Sequence, residues 1–138
     1  MGVNLYIEDE NGAQLAEVLD PRGFVGRIVS LVGNQATICL RFIDPYGNTV
    51  FNQLQIPTLI RELETAREQV TDELVAKLAQ EFLEKARKAR WSPAVIQEIE
   101  SSNRSVSASD IRGHMERMLA LALRAQGKVH TYLKFYGD

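Results

Sequence analysis

The chain has 138 residues, 16 Lys and Arg against 18 Asp and Glu for a formal net charge of −2, and 45% hydrophobic and 25% charged residues. That length and balance fit one ordinary globular domain, which buries roughly two-thirds of its unfolded surface without help from a disulfide or metal. The negative charge speaks against non-specific DNA binding, which is driven by phosphate neutralisation, and the single cysteine, Cys39, excludes an intramolecular disulfide and a cysteine-based zinc site.

The N-terminus, Met1 to Tyr6, has no basic start followed by an apolar run, so no signal peptide is expected. Gly2 would suit myristoylation, but Tyr6 stands where that motif needs Ser or Thr. No stretch approaches the roughly 18 apolar residues of a membrane span. The expectation is a cytoplasmic protein with no membrane contact.

Val3, Leu5 and Ile7 alternate with Asn4, Tyr6 and Glu8, the period of a half-buried strand. Asn11-Gly12 is a strong hairpin signal, because both residues tolerate positive φ, and a second strand is expected around residues 14–19. Asp20-Pro21-Arg22-Gly23 then reads as a type I turn: Asp can bond the backbone ahead, Pro presets φ, and Gly suits the last position. Residues 24–32 are apolar around Gly26 and predict a strand with a bend or bulge there. Another turn is expected over residues 32–35.

Ile38, Leu40 and Phe42 share one face of a predicted amphipathic strand, with Thr37, Cys39 and Arg41 on the other. Asp44-Pro45-Tyr46-Gly47 repeats the turn chemistry of residues 20–23, so residues 40–52 read as strand, tight turn and strand. In the second arm either Val50 and Leu54 or Phe51 faces the core, depending on a bulge at Gly47.

Pro57 suits a first helical position, and Leu59, Ile60, Leu63, Ala66 and Val70 trace a helical stripe. Thr71 can cap a second helix with Asp72 and Glu73 in its first turn, followed by more than three turns of i, i+3, i+4 apolar spacing from Leu74 to Ala86. Ser92-Pro93 opens a short helix with Val95, Ile96 and Ile99 expected to face inward. Residues 101–109 read as a polar linker, ending in Ser107 and Asp110 with the spacing of a capping box. The last helix carries Ile111, Met115, Met118, Leu119 and Ala122 and stops at Gly127. Val129, Thr131, Leu133 and Phe135 then alternate with His130, Tyr132, Lys134 and Tyr136 in a terminal strand, which should pair with the N-terminal sheet rather than stay free.

The expected fold class is α+β: an antiparallel sheet of N-terminal hairpins and the C-terminal strand, packed against about four helices. It forms a single domain over residues 1–138, mainly β to residue 56, mainly α over 57–127, and a strand over 128–138.

No catalytic constellation stands out. Cys39 sits among apolar neighbours as a structural thiol, and His114 and His130 have no motif partners. Glu8-Asp9-Glu10 lacks the D-x-D-x-D-G spacing of a calcium loop, no metal-ligand or Gly-rich nucleotide motif is present, and no cofactor is expected. The run Lys85 to Arg90 with Trp91 would be the nucleic-acid candidate. It is also what a helix C-terminus favours, with Glu81–Lys85 and Glu84–Lys88 spaced to pair.

Phe42-Ile43-Asp44-Pro45-Tyr46-Gly47-Asn48-Thr49-Val50-Phe51-Asn52, then Gln55, and the end Tyr132-Leu133-Lys134-Phe135-Tyr136-Gly137-Asp138 resemble a group of small uncharacterised bacterial proteins. Their hairpin reads F-x-D-P-Y-G-[DN]-T-V-F-N, often with Asp where this chain has Asn48. The resemblance implies a bacterial cytoplasmic protein and carries no activity with it.

The functional expectation is a non-catalytic protein-binding module, of the immunity or adaptor kind, with a protein partner or a second copy as its ligand. Its candidate binding residues are Asp44, Tyr46, Asn48, Asn52, Gln55, His130 and Tyr132. The alternatives are a small-molecule enzyme or ligand-binding protein with a pocket between the 42–52 hairpin and the C-terminal strand, and nucleic-acid binding through residues 85–90.

Overall fold

A computed structural model describes residues 2–32 and 37–138. The order is β1 (Val3–Asp9), β2 (Gln14–Val18), α1 (Phe24–Leu31), a 3₁₀ turn (Leu40–Phe42), β3 (Asn48–Phe51), α2 (Ile56–Gln69), α3 (Asp72–Lys88), α4 (Pro93–Arg104), α5 (Ala108–Ala125) and β4 (Thr131–Gly137). The fold is α+β. The four strands form one antiparallel sheet in the order β2-β1-β4-β3.

The C-terminal strand is central. Thr131, Leu133 and Phe135 point into the core, while Tyr132, Lys134 and Tyr136 alternate onto the other face. β4 pairs with β1 from Val3↔Gly137 to Asp9↔Thr131 and with β3 from Asn48↔Tyr136 to Phe51↔Leu133. Both ends of the chain are thus tied into one sheet. Phe51 faces inward, 4% exposed and edge-on to Phe135 at 5.7 Å, and Val50 faces out. Gly137 is needed where it stands: a Cβ there would lie 2.4 Å from the Pro45 carbonyl, against which the strand end is hydrogen-bonded through Gly47.

The structure corrects two expected strands. Residues 24–31 form α1, not a strand bent at Gly26, because Phe24, Val25, Ile28 and Val32 fall on one helical face and all are buried. A short apolar run carries both periods, and tertiary burial chooses between them. Over residues 38–42, Ile38, Leu40 and Phe42 do not share a face. Leu40 is buried in a 3₁₀ turn while Ile38 and Phe42 are exposed, and Cys39 and Ile43 go inward instead. The expected 40–52 hairpin therefore keeps its turn and second arm, but its first arm is not a strand. The turn expected over residues 32–35 lies mostly outside the described residues.

The helical half follows its caps. Thr71 accepts the Leu74 N–H, Ser92 accepts the Val95 N–H, and Ser107 with Asp110 closes a reciprocal capping box. The Ser107 bonds hold the Asp110 carboxyl below its ordinary range. α4 runs to Arg104, four residues into the expected linker.

The basic run ends α3 in a Schellman motif. Arg90 takes φ 57, its N–H bonds the Arg87 carbonyl, and the Trp91 N–H bonds the Ala86 carbonyl. Arg87 reaches Glu100 of α4 at 2.7 Å, whereas the expected Glu81–Lys85 and Glu84–Lys88 pairs are not formed among the described residues. Among the described residues, no helix is long and apolar enough to cross a membrane.

Candidate functional site

The segment from residue 37 to α2 is held by a carboxylate. Glu62, on the second turn of α2, accepts the successive backbone N–H groups of Ile38 (2.6 Å), Cys39 (3.1 Å) and Leu40 (2.8 Å). These donors would have joined a sheet ladder had the segment been a strand. Cys39 is buried beneath them, and burial, with Glu62 adding to it, pushes its thiol above the usual range. It remains a protonated structural thiol.

Asp44 bonds the Tyr46 N–H (2.9 Å) and receives a turn closure from Gly47, as the D-P-x-G pattern predicts. Thr49 Oγ1 accepts the Asp44 N–H and fixes the turn to β3. Tyr46 at its tip is 73% exposed. Asn48 is exposed at the start of β3. Asn52 and Gln55 bond each other's backbone: Asn52 Oδ1 accepts the Leu54 and Gln55 N–H groups, and Gln55 Oε1 accepts the Asn52 N–H. These two amides build the entrance to α2.

Gln53 is a clamp. Its Nε2 donates to the Ala125 and Thr131 carbonyls (2.9 and 2.8 Å), and its Oε1 accepts the Gly127 N–H (2.8 Å). It fastens the end of α5 and the start of β4 to the β3–α2 connection.

His130 is not on the strand. It takes φ 57 in the turn before β4, with Nδ1 3.4 Å from Glu10 in an exposed contact. Tyr132 lies on the outward face of β4. Asp44 and Tyr46 therefore sit beside Gly137, while Asn52, Gln55, His130 and Tyr132 sit at the other end of β4. At ~3.3 Å per residue the two groups are about 20 Å apart. Asp44, Asn52 and His130 do not converge on a pocket.

The outward sheet face carries a cluster that sequence reading passed over. Glu8 is only 2% exposed although it lies on the face away from the helices. Its carboxylate accepts the Tyr136 hydroxyl at 2.5 Å and meets Lys134 Nζ at 3.2 Å, and Tyr6 stands edge-on to Tyr136 at 5.5 Å. The neighbouring carboxylates of the expected turn are used separately: Asp9 accepts the Asn11 and Ala13 N–H groups, and Glu10 faces His130.

The hydrogen bond to Glu8, with burial and the Glu8 charge, pushes the Tyr136 phenol up to about 12. An unfolded chain gives up this proton near pH 10. The folded protein thus binds more protons between about pH 10 and 12, and stability falls as pH rises through that window. Tyr136→Phe should remove this alkaline sensitivity and cost about 1 kcal/mol at neutral pH. A spectrophotometric phenolate titration checks it; a variant that keeps the last-ionising tyrosine would contradict the assignment.

Asp20 and His114 form a second buried polar cluster. The Asp20 carboxylate accepts the N–H groups of Val3 (3.2 Å), Phe24 (2.7 Å) and Val25 (3.0 Å). His114, from α5, lies with Nε2 3.9 Å from Asp20 Oδ1 and Nδ1 3.3 Å from Arg117. Arginine can only donate, so Nδ1 is the acceptor and the ring proton is on Nε2, which has no hydrogen-bond partner among the described residues. Burial depresses the imidazole's proton affinity more than the Asp20 charge restores it, and Arg117 depresses it further. The ring is neutral at pH 7, and its contact with Asp20 is not an ion pair. Neither Glu62 nor the Asp20–His114 pairing has a local signal in the sequence; the partners are 22 or more residues away.

Comparison of the chain with protein families, with curated proteins and with solved structures finds no match.

Proposed function

We propose that the protein is a non-catalytic protein-binding module of the bacterial cytoplasm, of the immunity or adaptor kind, and that it docks through residues 38–54. One observation carries this reading. Ile38, Phe42, Tyr46, Val50 and Leu54 recur at every fourth position and all are exposed, Leu54 by 88%. Scattered apolar side chains on a surface need no explanation, and five from one segment support the reading of an interaction surface.

The segment is presented rigidly. Glu62 anchors its start, the Asp44 turn its middle, and the Asn52–Gln55 exchange its end. Asp44, Asn52 and Gln55 are consumed by that scaffolding, so the binding energy falls to the apolar groups and to Tyr46. Tyr buries a large area at low entropic cost. Arg41, stacked over the Phe42 ring at 4.7 Å, adds a cation beside them.

Affinity capture from the native cell tests the reading, comparing the wild-type protein with a Phe42→Ser/Tyr46→Ala variant. A stoichiometric protein partner is expected, with the double change weakening it by about 2 kcal/mol, or about 30-fold. Absence of a partner, or a partner held equally by the variant, would remove the reading. Self-association lost in the variant would make the ligand a second copy of the chain.

A further inference from the structure

A cleft of about 290 Å³ opens between the Asp20-Pro21-Arg22-Gly23 turn and one face of α5. Leu19, Pro21 and Phe24 supply an apolar wall; Ser109, Asp110, Gly113, His114 and Arg117 supply the other side, at the spacing of a single helix face. From the geometry we infer that this cleft binds a small organic monocarboxylate, its carboxylate held by Arg22 and Arg117 and its apolar part against Leu19, Pro21 and Phe24.

The charges select the class. Arg22 donates to the Ser105 carbonyl at 2.8 Å and lies over the Phe24 ring at 5.0 Å, and Arg117 donates to His114. Neither guanidinium forms an ion pair with a carboxylate among the described residues. Guanidinium forks match carboxylates and phosphates in shape and charge. Asp110 is the one acidic side chain in the lining, and His114 is neutral, so two cations and one anion leave a single positive charge. Asp20 lies behind the cleft, its carboxylate occupied by three backbone N–H groups. A monoanion balances the remaining charge, and a phosphate dianion would exceed it. The volume is at the lower end of ligand cavities, which suits a ligand of small size.

Two further features point to an occupant. Gly113 stands inside α5, where glycine is less favourable than alanine. Among the described residues no packing contact requires it: a Cβ there would meet nothing nearer than Arg117 Nη1 at 3.8 Å. Its missing side chain keeps the cleft open. His114 lines the same cleft, 1% exposed, with its Nε2 3.9 Å from Asp20 and without a hydrogen-bond partner among the described residues. The ring is held by Arg117 on one side and packed against Phe24 at 5.4 Å on another.

The test is a titration of the full chain with benzoate, with benzyl alcohol and inorganic phosphate as controls, followed by backbone NMR and by melting temperature. Benzoate should shift the Gly113 and Arg117 amide signals saturably and raise the melting temperature, while the neutral alcohol does neither. Gly113→Leu fills the cleft with a residue that favours helix, and should abolish the response while keeping the wild-type circular dichroism spectrum. Arg117→Gln should weaken binding at least tenfold. No saturable response to benzoate, or a response that survives in both variants, would overturn the proposal. Preference for phosphate would overturn the monocarboxylate assignment, and a folded Gly113→Leu variant that binds normally would place the site elsewhere.

Discussion

Replacing Asp20 with alanine is expected to destabilise the protein by about 3–5 kcal/mol, the range for leaving strong buried groups without their partner. The carboxylate is buried and satisfies three N–H groups from two elements: Val3 at the start of β1, and Phe24 and Val25 in the first turn of α1. Its own N–H is taken by Asn4 Oδ1 at 2.9 Å. A single side chain thus caps a helix and fastens that helix to β1. Each bond to a charged acceptor contributes about 1.5–3 kcal/mol, and relief of the carboxylate's own desolvation offsets part of the sum. Asp20→Asn keeps one acceptor oxygen and should recover about half of the loss. Urea denaturation measures both variants. A loss below about 1 kcal/mol for the alanine change would mean that water replaces the carboxylate freely. Hydrogen exchange at Phe24 and Val25 should rise first, because these donors lose their acceptor directly.

Replacing Gln53 with leucine should cost about 2–4 kcal/mol, since three hydrogen bonds are lost and three backbone groups are left without that partner. At this chain length that corresponds to roughly 10 °C of melting temperature. The reason lies in what the amide joins. The turn between α5 and β4 spans residues 126–130 and positions the central strand of the sheet. Gln53→Glu separates shape from chemistry: it preserves the acceptor for Gly127 but sets a carboxylate oxygen against the Ala125 and Thr131 carbonyls. It should be at least as destabilising as leucine at neutral pH and recover on acidification. A Glu variant as stable as the wild type would show that the two donated bonds contribute nothing.

Features are legible locally where one residue's chemistry decides the outcome. The Asn11-Gly12 and Asp44-Pro45 turns, the Thr71, Ser92 and Ser107 caps, and the helical stripes of α2, α3 and α5 all depend on neighbours within a few residues. The alternation of β4 is equally local, and its place in the sheet followed from the need to cover an apolar strand. Residues 24–31 were different. Phe24, Val25, Ile28 and Val32 fit a helix as well as a strand by spacing, and the Asp20 carboxylate tips the balance by accepting the first two N–H groups of the helix. Residues 38–42 alternate like a strand, yet Glu62, 22 to 24 positions away, captures their N–H groups.

The candidate site divides in the same way. Sequence alone marked Tyr46 and the amides Asn48, Asn52, Gln53 and Gln55 as more than turn chemistry. Only the folded chain shows that Asn52, Gln53 and Gln55 are spent on backbone groups and that Tyr46, Phe42, Val50 and Leu54 are all left exposed. Turns, caps and stripes are determined by the sequence itself because their energies come from nearby residues. The choice of helix over strand, the fate of each amide and the convergence of Arg22, His114 and Arg117 on one cleft are decided by tertiary structure, because each depends on a carboxylate, carbonyl or helix face that only folding brings within hydrogen-bonding distance.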